Sequence, residues 1–372
     1  LSVSGTSNVI GAASFQATVT AVGAATFKDD VSVSGNTRLL GTVTVGGAVS
    51  LASSLSVGGV ANFANTVTIA GAVSLASTLS VGGASNFAST VTVVGAGTFK
   101  SDVSVSGNTR LLGTVTVGGA VSLASTLSVG GVANFADTVT VAGAVSLAST
   151  LSVGGASNFA STVTVVGAAA FKSNVSVSGN VDIAGNVSVG GTLFAAGGIT
   201  YDGNVSVSGN LAVGGNVSVG GTLSVTGAVS LASTLSVGGA TNLLGTVTAT
   251  GNAGFLGTVR VSGATSLEAA LNVTGAALFS STVTVVGAGT FKSNISVSGT
   301  TKLLGTVTAT GNTGFLGTVR VAGATSLEGA LNTTGAALFS STVTVVGAGT
   351  FKSNISVSGN LGIAGNVSVG GT

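Results

Sequence analysis

The sequence predicts an all-β fold, a repetitive β-solenoid or fibrous β-helix built from six-residue strands, and three observations predict it. Read from Leu1, the 372 residues divide into 62 hexads with no remainder and no slip of register. Positions 1 and 3 of each hexad are apolar or small, and positions 2 and 4 are mostly Ser, Thr, Gly, Ala or Asn. That alternation is the signature of a strand with one buried face. Charge and aromaticity then separate cleanly: all 18 charged residues fall at positions 2, 4, 5 or 6, whereas 14 of the 15 Phe sit at position 3.

Positions 1 and 3 are therefore expected to point inward, with Phe27, Phe63, Phe99, Phe135, Phe171, Phe255, Phe291 and Phe351 as structural core. Positions 5 and 6 carry turn chemistry such as Gly-Asn, Gly-Thr and Ser-Asp. Gly enters positive φ freely, while Asn, Asp and Ser bond to nearby backbone, so Gly35, Gly107, Gly179, Gly299 and Gly359 are expected to be turn glycines.

The hexads alternate in kind. Those starting at Ser7, Val19, Val31 and every twelfth residue onward carry Gly at position 5 in 31 of 31 cases, with Val, Leu or Ile at position 1 except at Ser7. The intervening hexads vary more, and wherever their position 3 is Phe, position 1 is Ala, Ser, Gly or Thr. Close-packed interiors require such volume matching. The unit suggested is twelve residues with two dissimilar strands. A coil that small buries only about four side chains, a thin core that would gain from partners, so an intertwined or parallel homotrimer is favoured over a single two-sided coil.

Longer copies overlie the hexads. A region at 1–174 contains a 72-residue copy (31–102 recurring as 103–174), and a region at 229–372 contains a 60-residue copy (247–306 recurring as 307–366). Between them, 175–228 is a Gly/Asn-rich variant, and all three read as one continuous fibre. Because sixty is not a multiple of eighteen, the copy weighs against a three-sided coil of eighteen residues, unless three near-equivalent faces tolerate the shift. One irregular place stands out: Phe194 at an outward position, Tyr201 at an inward one, and Asp202 beside it. It reads as a local packing variation or as a landmark such as a bend.

Composition narrows the function. Only 5% of residues are charged, against roughly a quarter in ordinary domains, and high apolar content with a net charge of +2 is the reverse of a disordered chain. Clustered Lys and Arg with interleaved aromatics are absent, so nucleic-acid binding is not expected. No stretch approaches the ~18 apolar residues of a membrane helix, so membrane insertion is not expected either. Both ends fall mid-pattern, and the chain reads as a piece of something longer.

No chemistry is expected: no catalytic residue, cofactor or metal. His and Cys are absent, and Asp29, Asp30, Asp102, Asp137, Asp182, Asp202, Glu268 and Glu328 are scattered over outward or turn positions. The Gly-x-Gly strings lack a following helix and Lys-Ser/Thr, so no phosphate loop is expected. Lys28, Lys100, Lys172, Lys292 and Lys352 recur after Phe, and Arg38, Arg110 and Lys302 lie ten residues beyond three of them. In a twelve-residue stack these pairs would share one side, either as a sparse basic spot for surface glycans or as charge that keeps rods soluble and apart.

Segments such as Gly-Asn-Val-Ser-Val-Gly-Gly-Thr-Leu-Ser-Val-Thr-Gly-Ala at 215–228 resemble the repetitive shafts of bacteriophage and large-virus tail or surface fibres. The resemblance implies a homotrimeric extracellular or virion-surface spacer, with receptor binding in a separate tip. The expectation is thus a structural shaft associating with itself. A self-assembling extracellular filament, as in biofilms, and an ice-binding solenoid are the rivals.

Overall fold

The computed structural model describes residues 1–372, all in short parallel strands joined by corners, with no helix. Nearly every hexad gives one three-residue strand from its positions 1 to 3, as in Val31–Val33 and Thr37–Leu39. Inside the strands away from the chain ends, such as these two, the inward residues are buried and the middle one faces solvent, the arrangement the alternation predicts. The chain forms two compact units, Leu1–Ser188 and Val189–Thr372, each a parallel β-solenoid.

The coil closes on itself after three hexads. Leu55 pairs with Thr37 on one side and Val73 on the other, and Phe63 pairs with Val45 and Val81. Each unit therefore has three faces and about ten turns. At about 4.8 Å per turn, that is about 50 Å along its own axis. This corrects the twelve-residue coil. Six side chains, not four, point inward per turn, so one chain closes its own core, and the thin-core argument for a trimer loses its premise.

We number the faces of the first unit by their strands: Val19–Ala21 lies on face one, Ala25–Phe27 on face two and Val31–Val33 on face three. The twelve-residue alternation reappears along the axis. Three hexads per turn is an odd number, so each face stacks the two hexad kinds alternately. On face two the position-3 column runs Val9, Phe27, Val45, Phe63, Val81, Phe99, Val117. Each ring thus lies between two smaller side chains. Within a strand, a Cβ on Gly97 would stand 3.3 Å from Phe99 Cε2, so the small position 1 makes room for the ring.

Copy length decides which face a residue reaches. The 72-residue copy spans four turns, and Phe63 and Phe135 share face two. The 60-residue copy adds one-third of a turn beyond three, so Phe255, paired with Val237 and Val273, and its copy Phe315, paired with Val297, occupy different faces of the second unit. Both rings are buried. The near-equivalence of the faces absorbs the shift that counted against a three-hexad coil.

The corners hold a second correction. No residue, glycine included, has positive φ. Gly35 instead lies where the coil closes onto the turn beneath: a Cβ there would come within 2.5 Å of Ala17 C and Thr18 N. Gly107 and Gly179 meet the same backbone limit, as do Gly299 and Gly359 in the second unit. The Asx side chains at position 6 bond to the next turn rather than locally: Asp30 Oδ1 accepts from the Ala48 N–H at 2.7 Å, and Asp102 Oδ1 from Ala120 at 2.8 Å. In the second unit, Asn294 Oδ1 accepts from the Asn312 N–H and Asn312 Oδ1 from the Ala330 N–H.

The packing of the core is imperfect. Ten inward Ser and Thr hydroxyls, among them Thr37 and Thr109, have no hydrogen-bond partner. An apolar void of about 20 Å³ adjoins each of these two threonines.

Candidate functional surface

Outward chemistry comes from position 2 on the faces and positions 4 to 6 on the corners. In the first unit the 72-residue copy returns each type to the same place every four turns, so the three corners differ. The corner after face two is charged: Lys28, Lys100 and Lys172 recur along it, with Asp29, Asp30, Asp102 and Asp137. The corner after face three is neutral and polar, with Asn36 Oδ1 accepting from the Ser53 and Ser54 hydroxyls and Asn108 from Ser125 and Thr126.

The corner after face one is apolar. Its position-4 column includes Val22, Leu40, Val94, Leu112 and Val166, each 47–60% exposed, separated by Gly or Ala in pairs. Their stacking is fixed by backbone bonds to the turn beneath, such as Leu40 N–H to Ala21 O at 2.8 Å and Leu112 N–H to Val93 O at 2.9 Å. Positions 5 and 6 of this corner add Gly, Ser, Thr, Ala and Val before reaching Asn186, and no charge.

The basic residues do not pair as expected. With three hexads per turn, Lys28 stands on the corner after face two while Arg38 projects from face one. The cations that do meet are Lys302 and Arg320, in register on adjacent strands of the second unit. Reading every eighteenth residue would have found them.

The carboxylates are exposed and, the adjacent Asp29 and Asp30 aside, scattered, and no group of three or more His, Cys, Asp or Glu gathers where it could hold a metal ion. Asp29 and Asp30 serve the corner, Asp29 accepting from the Asp30 N–H at 3.1 Å. Outward threonines pair as Thr26–Thr44 and Thr98–Thr116 on face two, but Asn62 and Ser80 interrupt the column.

The core Phe27, Phe63, Phe99, Phe135, Phe171, Phe255, Phe291 and Phe351 are all buried. Phe194 is 48% exposed beside Ala212, whereas Tyr201 lies inside, where burial raises its phenol above its ordinary pKa. Asp202 is exposed at the following corner. No protein-family model, curated protein or solved structure matches the chain.

Proposed function

We propose that the chain is an architectural rod, a shaft or spacer displayed at a virus, phage or cell surface, with no chemistry of its own. The supporting observation is the unbroken three-hexad register within each unit, in which every turn repeats the backbone pairing of the last and every ionisable group except Tyr201 stands at the surface. Such an array serves length: each added turn extends it by about 4.8 Å. The surface location follows the likeness of the repeats to fibre shafts. Sparse charge leaves glycan capture a minor part of the reading. The interrupted Thr column does not favour ice binding, which needs a flat, regular ladder.

Electron microscopy of the purified chain tests this. Discrete rods of one length are expected, and inserting another copy of residues 31–102, four turns, should lengthen them by about 19 Å. Open-ended polymers of indefinite length would overturn the shaft in favour of a cross-β filament.

A further inference from the structure

The apolar corner of the first unit has a pattern that goes beyond a spacer. Along eight turns its position-4 residues run in twos, two large and then two small: Val22 and Leu40, Gly58 and Ala76, Val94 and Leu112, Gly130 and Ala148. All eight are exposed. Reversing the order of turns about a point midway between Ala76 and Val94 exchanges large for small throughout. Ala76 then faces Val94, Gly58 faces Leu112, Leu40 faces Gly130, and Val22 faces Ala148.

We infer that this edge pairs with the same edge of a second copy, antiparallel, about a two-fold axis between Ala76 and Val94. A two-fold axis gives a closed, self-complementary contact and no open filament. Ridges of two turns fill notches of two turns, as apolar surfaces must to exclude water. The flanking charges fit the same arrangement. Arg38 and Arg110 project from the adjoining face, and the antiparallel pairing sets them at the levels of Ser128 and Ser56 of the other copy. A parallel, in-register pair would set each Arg beside its own copy and each ridge against a ridge. The eight paired turns span about 38 Å and, at about 10 Å wide, two copies bury about 770 Å², below the roughly 1,000 Å² of a stable specific interface. The pairing is therefore weak and reversible. The second unit has no such edge: Asp202, Lys292 and Glu328 interrupt its comparable corner column.

The test uses the full chain and its lack of native cysteine. Light scattering over a concentration series should move from the monomer mass of 34.6 kDa towards twice that value. Leu112→Lys, on a side chain already outward, should weaken dimerisation at least tenfold while leaving the β-sheet circular dichroism unchanged. A mixture of Val22→Cys and Ala148→Cys chains should cross-link under oxidation. Neither variant alone should, because Val22 lies seven turns, about 34 Å, from its own copy. A monomer at every concentration, a trimer, or efficient cross-linking of a single variant to itself would each overturn the inference.

Discussion

At the scale of single residues, the structure separates three kinds of position that composition treats alike. A glycine can be required by contact with the turn beneath rather than by φ. Gly35→Ala should cost about 1–3 kcal/mol in urea unfolding, because its Cβ would press on the Ala17–Thr18 peptide. Gly314, outward on a strand with its nearest atom at 3.9 Å, is the contrasting case: Gly314→Thr should gain about 0.5–1 kcal/mol. A buried threonine can be a liability. Thr109→Val removes an unpaired hydroxyl beside a void and should raise stability by about 1 kcal/mol, read from the same titration. Tyr201 gives the chain an alkaline sensitivity. The unfolded phenol ionises near pH 10, but burial keeps the folded one neutral above that. The folded state then holds a proton that the unfolded state has released. Stability contributed by this group is full below about pH 10 and falls as pH rises beyond it, by up to about 1.4 kcal/mol per unit. Tyr201→Phe should remove that part of the slope in urea midpoints measured from pH 8 to 11.5.

At the scale of the strand and its neighbours, alternation matters more than face. Excising one hexad, residues 103–108, would stack like on like at the junction, setting Phe87 against Leu111 and Phe99 against Leu123 instead of Val105 and Val117. Excising two, 103–114, keeps unlike hexads in contact and only moves the following strands to another face, as the 60-residue copy in the second unit does naturally. The six-residue deletion should therefore lower the thermal midpoint more than the twelve-residue one, although it removes less chain. The hexads, the inward positions and the matching of Phe to small partners were legible because each is a local rule along the chain. Coil closure was not. Any multiple of six preserves the inward–outward pattern, so the number of sides is set by how the backbone bends at each corner, which residue type does not encode. The apolar edge was hidden for the same reason: Val22, Leu40, Val94 and Leu112 look like scattered exceptions until the three-hexad spacing is known.

For each unit as a whole, stability is a sum of similar rungs, and corner side chains such as Asp30 and Asn312 tie each rung to the next. With so little charge to repel other rods, keeping them apart falls to corner chemistry. In the first unit, one corner is charged, one is neutral and polar, and one is apolar with alternating relief. The proposed edge-to-edge pairing belongs to that scale, since no single turn carries enough area to associate.

The odd number of sides has a consequence for how such a chain can grow. A duplicated stretch of six hexads, or any multiple of it, is pure extension, because every added side chain lands under its equivalent. A stretch of two, four or ten hexads extends the stack equally well but rotates the decoration by one or two thirds of a turn. The two halves of this sequence hold one copy of each sort, of twelve hexads and of ten. Gene duplication can thus act on this scaffold as two separate controls. One sets reach alone; the other sets reach together with the compass direction in which a given surface looks.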